Sequence, residues 1–266
     1  MANDIALSEL SILLVEPSDT QRKIITSMLE QAGIGQVESA GTIGEAWDML
    51  AGHGADLVVS AMYFSDGTGL ELLQKIKSNE AHQSLPFMLV SSEYRKEKLE
   101  EFKQSGVVAI LPKPFEPVHL SRALAASLDL INTHEIELDL FDVEQLRVLL
   151  VDDSKMARNH IRRVLEGMGL KQFAEAENGA LALTLLKDQT FDLVVTDYNM
   201  PEMDGRELSE FIRFSPETAH IPIIMVSSEA NSAKMANIQQ TGVNALCDKP
   251  FEPAEVRQIL ASLLNH

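Results

Sequence analysis

The chain has 266 residues, 45% of them hydrophobic, and its 40 acidic residues outnumber its 22 basic ones. This composition fits a folded protein with room for two cores, and a net charge of −18 disfavours nucleic acid and anionic membrane as partners while favouring basic partner surfaces. No apolar run approaches the roughly 18 residues of a membrane span, and a single cysteine, Cys247, excludes an internal disulfide and predicts a reducing, cytoplasmic setting.

The amino-terminal stretch MANDIALSEL lacks the basic segment and the long apolar run of a signal peptide. Beyond it, residues 15 to about 128 match the second half of the chain at a constant offset of 136 positions, without a gap. The matches include Ser18 with Ser154, Arg22 with Arg158, Gly33 with Gly169, and KPFEP at 113–117 with KPFEP at 249–253. This offset indicates two tandem copies of one globular domain, which we place at residues 1–130 and 146–266.

Residues 131–145, INTHEIELDLFDVEQ, separate the two copies and carry five acidic residues and no Lys or Arg. This composition predicts a solvated acidic linker. The alternation of Ile136, Leu138 and Leu140 also allows part of it to lie extended against a domain, and the last helix of the first copy could continue into it.

Strand and helix patterns alternate through the second copy. The run LRVLLV at 146–151 is typical of a strand buried on both faces, and Ser154 is a candidate N-cap for a helix that ends near Gly169. Later strands are predicted at KQFAEA, FDLVVTD, IPIIMVS and NALCDK, and later helices at about 179–188, from Gly205, at about 231–241 and from Pro253. Five such βα units form a parallel sheet with helices on both faces, and the first copy follows the same plan.

Polar side chains follow four strands of the second copy, namely Asp152 and Asp153, Asp197, Ser227 with Ser228, and Lys249. Ligands of an open α/β sheet bind at this carboxyl edge. Two carboxylates about 4 Å apart repel by about 4 kcal/mol at an effective dielectric of about 20, so the group predicts a divalent cation, and oxygen ligands suit Mg²⁺. Because an ammonium and a hydroxyl suit an anion, we predict a phosphoryl group beside the metal, with Asp197 as nucleophile.

Each of these residues alone has a plainer explanation. Paired aspartates after a strand often cap a helix, Asp197 could serve the turn before MDG, and Lys249 could be a solvated loop lysine. Their combination at one sheet edge is what indicates a site. A phosphatase of the haloacid dehalogenase class needs two aspartates separated by one residue after the first strand, whereas this chain has adjacent aspartates there and its candidate nucleophile on the third strand. A nucleotide site needs glycines in the first turn, whereas this chain has DDSKMA.

The motifs LLVDDS, VVTDYNMPEMDG, IIMVSSEA and DKPFEP, in this order, resemble the receiver domain of two-component response regulators, in particular the single receivers of chemotaxis. The resemblance spans about residues 146–264. It implies a bacterial signalling protein of the α/β class, built from two tandem flavodoxin-like (βα)5 domains. Each would be a doubly wound parallel sheet with strand order 2-1-3-4-5.

The resemblance also implies roles for the acidic residues. Asp197 would accept a phosphoryl group from a histidine kinase or a histidine phosphotransfer protein. Asp152 and Asp153 would bind Mg²⁺, and Asp197 and the main-chain carbonyl of Asn199 would complete the protein ligands.

Two further matching residues would contact the phosphoryl group. Lys249 would bind its oxygens, and the peptide bond from Lys249 to the next proline would be cis, while Ser227 would be the hydroxyl that moves towards the phosphate. Two positions depart from the family pattern. Leu246 stands where a Tyr or Phe usually moves with the hydroxyl, and Ser228 stands where a small apolar residue is usual. We expect the first departure to affect the aromatic part of the switch and the second to affect access to the phosphate.

The first copy resembles the same family over residues 10–130 but lacks the chemistry. Glu16 and Pro17 stand where the paired aspartates do, and Ala61 stands at the phosphoacceptor position. Ser91 and Lys113 remain. We interpret this copy as a degenerate pseudo-receiver that is not phosphorylated and does not bind Mg²⁺ tightly.

Three neighbours of Ala61 have separate expectations. Asp66 aligns with Glu202, five positions past the phosphoacceptor, and is expected to serve the SDG turn. Tyr63 and Phe64 replace the polar region around Asn199 and are expected to close the former site with apolar surface.

These features predict a response regulator that signals through protein contacts and is not an enzyme beyond Mg²⁺-dependent self-phosphorylation and slow self-dephosphorylation. We expect no DNA-binding output domain, and an output surface at about residues 231–264 that contacts a still unknown protein partner or a second copy of the chain. The alternative is a scaffold or adaptor, built from receiver folds, that works independently of phosphorylation. A phosphodonor that leaves assembly unchanged would favour the scaffold.

Overall fold

The computed structural model describes residues 5–132, 142–228 and 242–264, in two compact units that span Met1–Thr133 and His134–His266. The strands of the first unit are β1 Ser11–Val15, β2 Gln36–Ala40, β3 Leu57–Ser60, β4 Tyr63–Phe64, β5 Gly67–Thr68, β6 Phe87–Ser91 and β7 Ala109–Pro112. Its helices are α1 Asp19–Gln31, α2 Ile43–Gly52, α3 Gly69–Ser78, α4 Lys96–Gln104 and α5 Pro117–Ile131.

The second unit repeats this order. Its strands are β8 Arg147–Val151, β9 Gln172–Ala176, β10 Leu193–Asp197, β11 Ile223–Ser227 and β12 Ala245–Asp248. Its described helices are α6 Lys155–Glu166, α7 Gly179–Asp188, α8 Gly205–Phe214 and α9 Pro253–Leu264. The predicted helix at about 231–241 and most of the predicted linker at 131–145 lie outside the described residues.

Each unit contains a five-stranded parallel sheet. The spatial order is β2-β1-β3-β6-β7 in the first unit and β9-β8-β10-β11-β12 in the second. When only the strands of each parallel sheet are counted along the chain, both orders are 2-1-3-4-5, which confirms the predicted doubly wound, flavodoxin-like fold. In the second sheet Asp197 pairs with Val226, which pairs with Cys247, so the carboxyl ends of these strands stay level.

Both faces of the first sheet are covered by helices. Ile12 and Leu14 of β1 pack with buried residues of α1 and α5, and the alternate residues Leu13 and Val15 pack with those of α2, α3 and α4. Side chains alternate across a strand, so an unbroken apolar run such as SILLV supplies both cores.

The first helix of the second unit begins and ends where the sequence predicts. The hydroxyl of Ser154 accepts a hydrogen bond from the Ala157 amide at 3.3 Å, and α6 begins at Lys155. After the helix ends at Glu166, Gly169 adopts a φ of 99°, which favours glycine. The predicted N-cap and terminator are therefore confirmed.

One element was not predicted: β4 and β5 form a two-stranded antiparallel hairpin directly after Ala61.

Across the part of the chain that the structure describes, every helix is too short or too polar to cross a lipid bilayer.

Candidate functional site

The predicted polar residues of the second unit lie at the carboxyl edge of its sheet. Asp152 and Asp153 follow β8, Asp197 is the last residue of β10, and Ser227 is the last residue of β11. Lys249 follows β12 directly. Strands β8 and β10 are neighbours at the point where the strand order reverses, which is where ligands bind in folds of this kind.

Gly205 allows the chain to turn tightly beside Asp197. Its amide donates to the main-chain oxygen of Tyr198 at 3.0 Å, and a Cβ at this position would lie 2.1 Å from the main-chain oxygen of Asp197. Only glycine fits so close to another backbone, so α8 can begin immediately beside the site. Gly69 has the same relation to Ala61 in the first unit, with a Cβ-to-oxygen distance of 2.4 Å.

Lys249 lies between two buried carboxylates. Its Nζ is 2.9 Å from Oδ2 of Asp152 and 3.1 Å from Oδ2 of Asp197. The three residues are 5%, 0% and 1% exposed, respectively. The remaining oxygens are also held, because Oδ1 of Asp152 accepts from the Ser154 amide at 2.8 Å and Oδ1 of Asp197 accepts from the Tyr198 amide at 2.9 Å.

Burial shapes the electrostatics of this group. It raises the pKa of Asp197 to about 6, against the opposing effect of the Lys249 ammonium. It also raises the pKa of Asp152 above its ordinary range, again opposed by Lys249. Burial disfavours the charge of Lys249, but the two aspartates outweigh it, so the pKa of this lysine is raised. The buried charges are thus incompletely balanced by the protein itself.

The acidic group has the donor set of a divalent-cation site. One carboxylate oxygen from each of Asp152, Asp153 and Asp197 lies within 4.8 Å of the others, and Asp153 is exposed while the other two are buried. Three carboxylates face one ammonium, so a cation would relieve the excess negative charge. Hard oxygen donors at a partly solvated site suit Mg²⁺, which retains several of its waters.

The remaining predicted residues lie around this group. Asn199 is exposed in the loop after β10, Ser227 is buried at the end of β11, and Leu246 lies in β12 opposite Met225 of β11. The Lys249–Pro250 peptide bond is cis, as the resemblance implies, and so is Lys113–Pro114 in the first unit.

The same edge of the first unit holds a self-contained ion pair. Oε2 of Glu16 lies 2.8 Å from Nζ of Lys113, and Oε1 accepts from the Ser18 amide at 3.1 Å. Glu16 is 4% exposed, and Ala61 offers only a methyl group. This pair of charges is neutral, in contrast with the three carboxylates and one ammonium of the second unit.

A cavity of about 380 Å³ remains open beside this pair, lined by Ala61, Met62 and Tyr63 among others. The expectation that Tyr63 and Phe64 close the site is wrong, because the cavity stays open: Tyr63 lines only part of it, and Phe64 is turned towards the core. Tyr63 is half exposed and its hydroxyl donates to Glu93 at 3.2 Å, while Phe64 packs against the core. Met62 is a buried apolar residue of the lining, and its sulfur accepts from the Ser91 hydroxyl at 3.5 Å.

Two groups of contacts do not follow from the sequence. Asp66 accepts from the amides of Ile43 and Gly44, at 3.2 and 3.0 Å, so it caps α2 from a distant loop. In the second unit the buried side chain of Arg158 donates to the main-chain oxygen of Asp152. The repeat alone could have drawn attention to this arginine, since Arg22 occupies the matching position.

Comparisons with known proteins follow the same division of the chain. The family of the response regulator receiver domain matches residues 12–125 and 148–261. Chemotaxis protein CheY-3 of Vibrio cholerae is 37% identical over 122 residues, which cover 46% of this chain and 94% of that protein. Chemotaxis protein CheY of Pseudomonas aeruginosa is 38% identical over 120 residues, or 45% of this chain and 97% of that protein.

Among solved structures, chemotaxis response regulator CheY4 of Vibrio cholerae is 29% identical to this chain. The match covers 45% of this chain and 98% of the CheY4 chain, with a TM-score of 0.42.

Two parallel five-stranded sheets of order 2-1-3-4-5 and the family matches define a protein made of tandem receiver-type signalling domains. The chain belongs to the response regulator receiver family of two-component signalling.

Proposed function

We propose that the second unit is a phosphoacceptor whose reactive residue is Asp197. The observation that carries this proposal is the convergence of Asp152, Asp153 and Asp197 within 4.8 Å, with Lys249 ion-paired to two of them. An Asp197 oxygen would attack the phosphorus of a phosphohistidine on a histidine kinase or a histidine phosphotransfer protein. The P–N bond breaks as the P–O bond forms, and the released imidazole takes up a proton.

The surrounding residues would orient this transfer. Asp152, Asp153, Asp197 and the main-chain carbonyl of Asn199 would hold Mg²⁺, which when bound neutralises negative charge on the phosphoryl group. Lys249, already 3.1 Å from Asp197, would donate to a phosphoryl oxygen. Ser227, the last residue of β11, would then move towards the phosphate and change the neighbouring surface.

The first unit would take no part in phosphoryl transfer. Ala61 has no nucleophile, and Glu16 already pairs with Lys113 at 2.8 Å, which leaves no excess of negative charge for a divalent cation. We propose that this unit is a pseudo-receiver and that the chain signals through protein contacts, with either a protein partner or a second copy of itself.

Intact-mass spectrometry after incubation with acetyl phosphate and Mg²⁺ tests the proposal. We expect one phosphate per chain, no phosphate when Mg²⁺ is chelated, and no phosphate in Asp197→Asn. Two phosphates per chain, or one that persists in Asp197→Asn, would contradict it. Unchanged assembly and partner binding in the phosphorylated chain would favour the phosphorylation-independent scaffold.

A further inference from the structure

Arg158 of α6 lies buried directly behind the acidic turn of the second unit. It is 5% exposed, and its Nη1 donates to the main-chain oxygen of Asp152. Two glutamates hold the other nitrogens, with Nε 3.2 Å from Oε2 of Glu175 and Nη2 3.5 Å from Oε1 of Glu177. The guanidinium is therefore fixed at three points, and only one of them belongs to the acidic turn.

The oxygen that Arg158 binds belongs to the peptide group that joins Asp152 to Asp153. A hydrogen bond from a charged donor is stronger than one between neutral groups, and it fixes the plane of this peptide. The orientation of the peptide determines where the backbone carries the exposed side chain of Asp153. The Asp152 side chain is already held by Lys249 and the Ser154 amide.

The first unit supplies an internal comparison. Arg22 occupies the position of Arg158, but it pairs with Asp19 of its own helix and its side chain is 24% exposed. The positions of Glu175 and Glu177 are occupied by Ser39 and Gly41. The two carboxylates that anchor the arginine are therefore present in the unit that has the acidic group and absent from the unit that lacks it.

We propose that Arg158, anchored by Glu175 and Glu177, is a positioning residue that orients the Asp152–Asp153 turn for Mg²⁺. This inference rests on the proposed function, because it concerns the ion expected at that site. Partners that orient metal ligands without touching the metal commonly change its affinity by about 10- to 100-fold when they are replaced. We expect an effect near the lower end of this range, because Asp152 has two other contacts.

Titration calorimetry with Mg²⁺ on the full chain tests the proposal. Arg158→Gln is expected to raise the Mg²⁺ Kd about tenfold. Two variants are matched controls. Arg22→Gln changes the equivalent position of the first unit. Arg162→Gln changes another arginine of α6, which pairs with Glu175 but does not contact Asp152. Both are expected to change the Kd by less than about twofold.

A second readout separates positioning from damage to the fold. Phosphorylation of Arg158→Gln by acetyl phosphate should be slow at limiting Mg²⁺ and return to the unsubstituted rate at saturating Mg²⁺. Should Arg158→Gln fail to fold, the double variant Glu175→Gln with Glu177→Gln keeps the arginine but removes its anchors, and we expect it to weaken Mg²⁺ binding in the same direction.

A Kd of the arginine variant within twofold of the unsubstituted chain would overturn the inference while leaving the proposed function intact. So would an equal loss of affinity in Arg162→Gln, or a slow phosphorylation that saturating Mg²⁺ does not restore. Failure of the unsubstituted chain to bind Mg²⁺ would overturn both proposals. This outcome can be told apart from failure of the Arg158 inference alone, because it is measured without any variant.

Discussion

Replacing the proposed phosphoacceptor with its neutral isostere should stabilise the second unit when no divalent cation is bound. Asp197 is 1% exposed, and burial raises its pKa to about 6 from an ordinary value of 3.8. Each unit of pKa difference between the folded and unfolded states corresponds to about 1.4 kcal/mol. Asp197→Asn in the presence of EDTA should therefore increase the free energy of unfolding by about 2–3 kcal/mol near pH 7.5, since the amide carries no charge to bury.

The pH dependence follows from the same shift. A carboxyl whose pKa is raised by folding destabilises the folded state fully above the folded pKa, and this effect disappears as the pH falls below the unfolded pKa. The stability gap between Asp197→Asn and the unsubstituted chain should thus be largest above about pH 6 and shrink as the pH falls through 6 towards 4. Saturating Mg²⁺ should also narrow the gap, because occupation of the proposed metal site would stabilise the folded state of the unsubstituted chain.

Calorimetry combined with tryptophan fluorescence can assign this change to the correct unit. Trp47 is the only tryptophan and belongs to the first unit, so its fluorescence follows that unit alone. The control is Asp66→Asn, because main-chain hydrogen bonds from Gly44 and Ile43 lower the pKa of Asp66 against the effect of desolvation. That substitution should lower the free energy of unfolding of the first unit, whereas Asp197→Asn should raise that of the second unit.

Destabilisation of the second unit by Asp197→Asn in EDTA at pH 7.5 would refute this reasoning. A stability gap that stayed constant between pH 7.5 and 4.5 would do so as well, because the gap is attributed to the ionised carboxylate.

Three other substitutions or reactions test separate parts of the account. Lys113→Met should leave the Glu16 carboxylate buried without its cation, so we expect it to destabilise the first unit by about 3 kcal/mol. Urea unfolding followed by Trp47 fluorescence measures this change, and a value below about 0.5 kcal/mol would argue against a structural ion pair. Gly205→Ala should lower both the thermal stability of the second unit and its Mg²⁺ affinity, since the new Cβ meets the Asp197 backbone. Gly52→Ala, which has open space around it at the end of α2, should not lower the thermal stability of its own first unit. Cys247 should react slowly with a thiol reagent until the chain is unfolded, because burial and nearby carboxylates raise its pKa and only the thiolate reacts; rapid labelling of the native chain would contradict this.

The positions of the strand-end residues could be predicted from the sequence, because they depend only on where each strand ends and on the strands being parallel. A continuous apolar run fixes where a buried strand ends, and parallel strands bring their carboxyl ends to one edge. Asp197 and Lys249 therefore meet although 52 positions separate them in the sequence. The fold followed from the same runs together with the repeat, and Ser154 and Gly169 fixed the ends of α6.

Side-chain direction was harder to predict. The expectation for Tyr63 failed because β4 and β5 are strands of two residues each, too short to show a periodic pattern, and their hairpin determines which ring faces outward. The contacts of Arg158 depend on a long, flexible side chain that reaches residues 17 and 19 positions away. Asp66 similarly caps a helix 22 positions away from its loop. Such contacts require the assembled fold.

The most direct test of the central claim is the position of the acyl phosphate in the full chain. Borohydride reduces an aspartyl phosphate to homoserine, which peptide mass spectrometry can locate. After treatment with acetyl phosphate and Mg²⁺, we predict homoserine at position 197 and none in residues 1–132. Homoserine at an aspartate of the first unit, or phosphate that resists borohydride and maps to Ser227, would contradict the assignment of Asp197 as the phosphoacceptor.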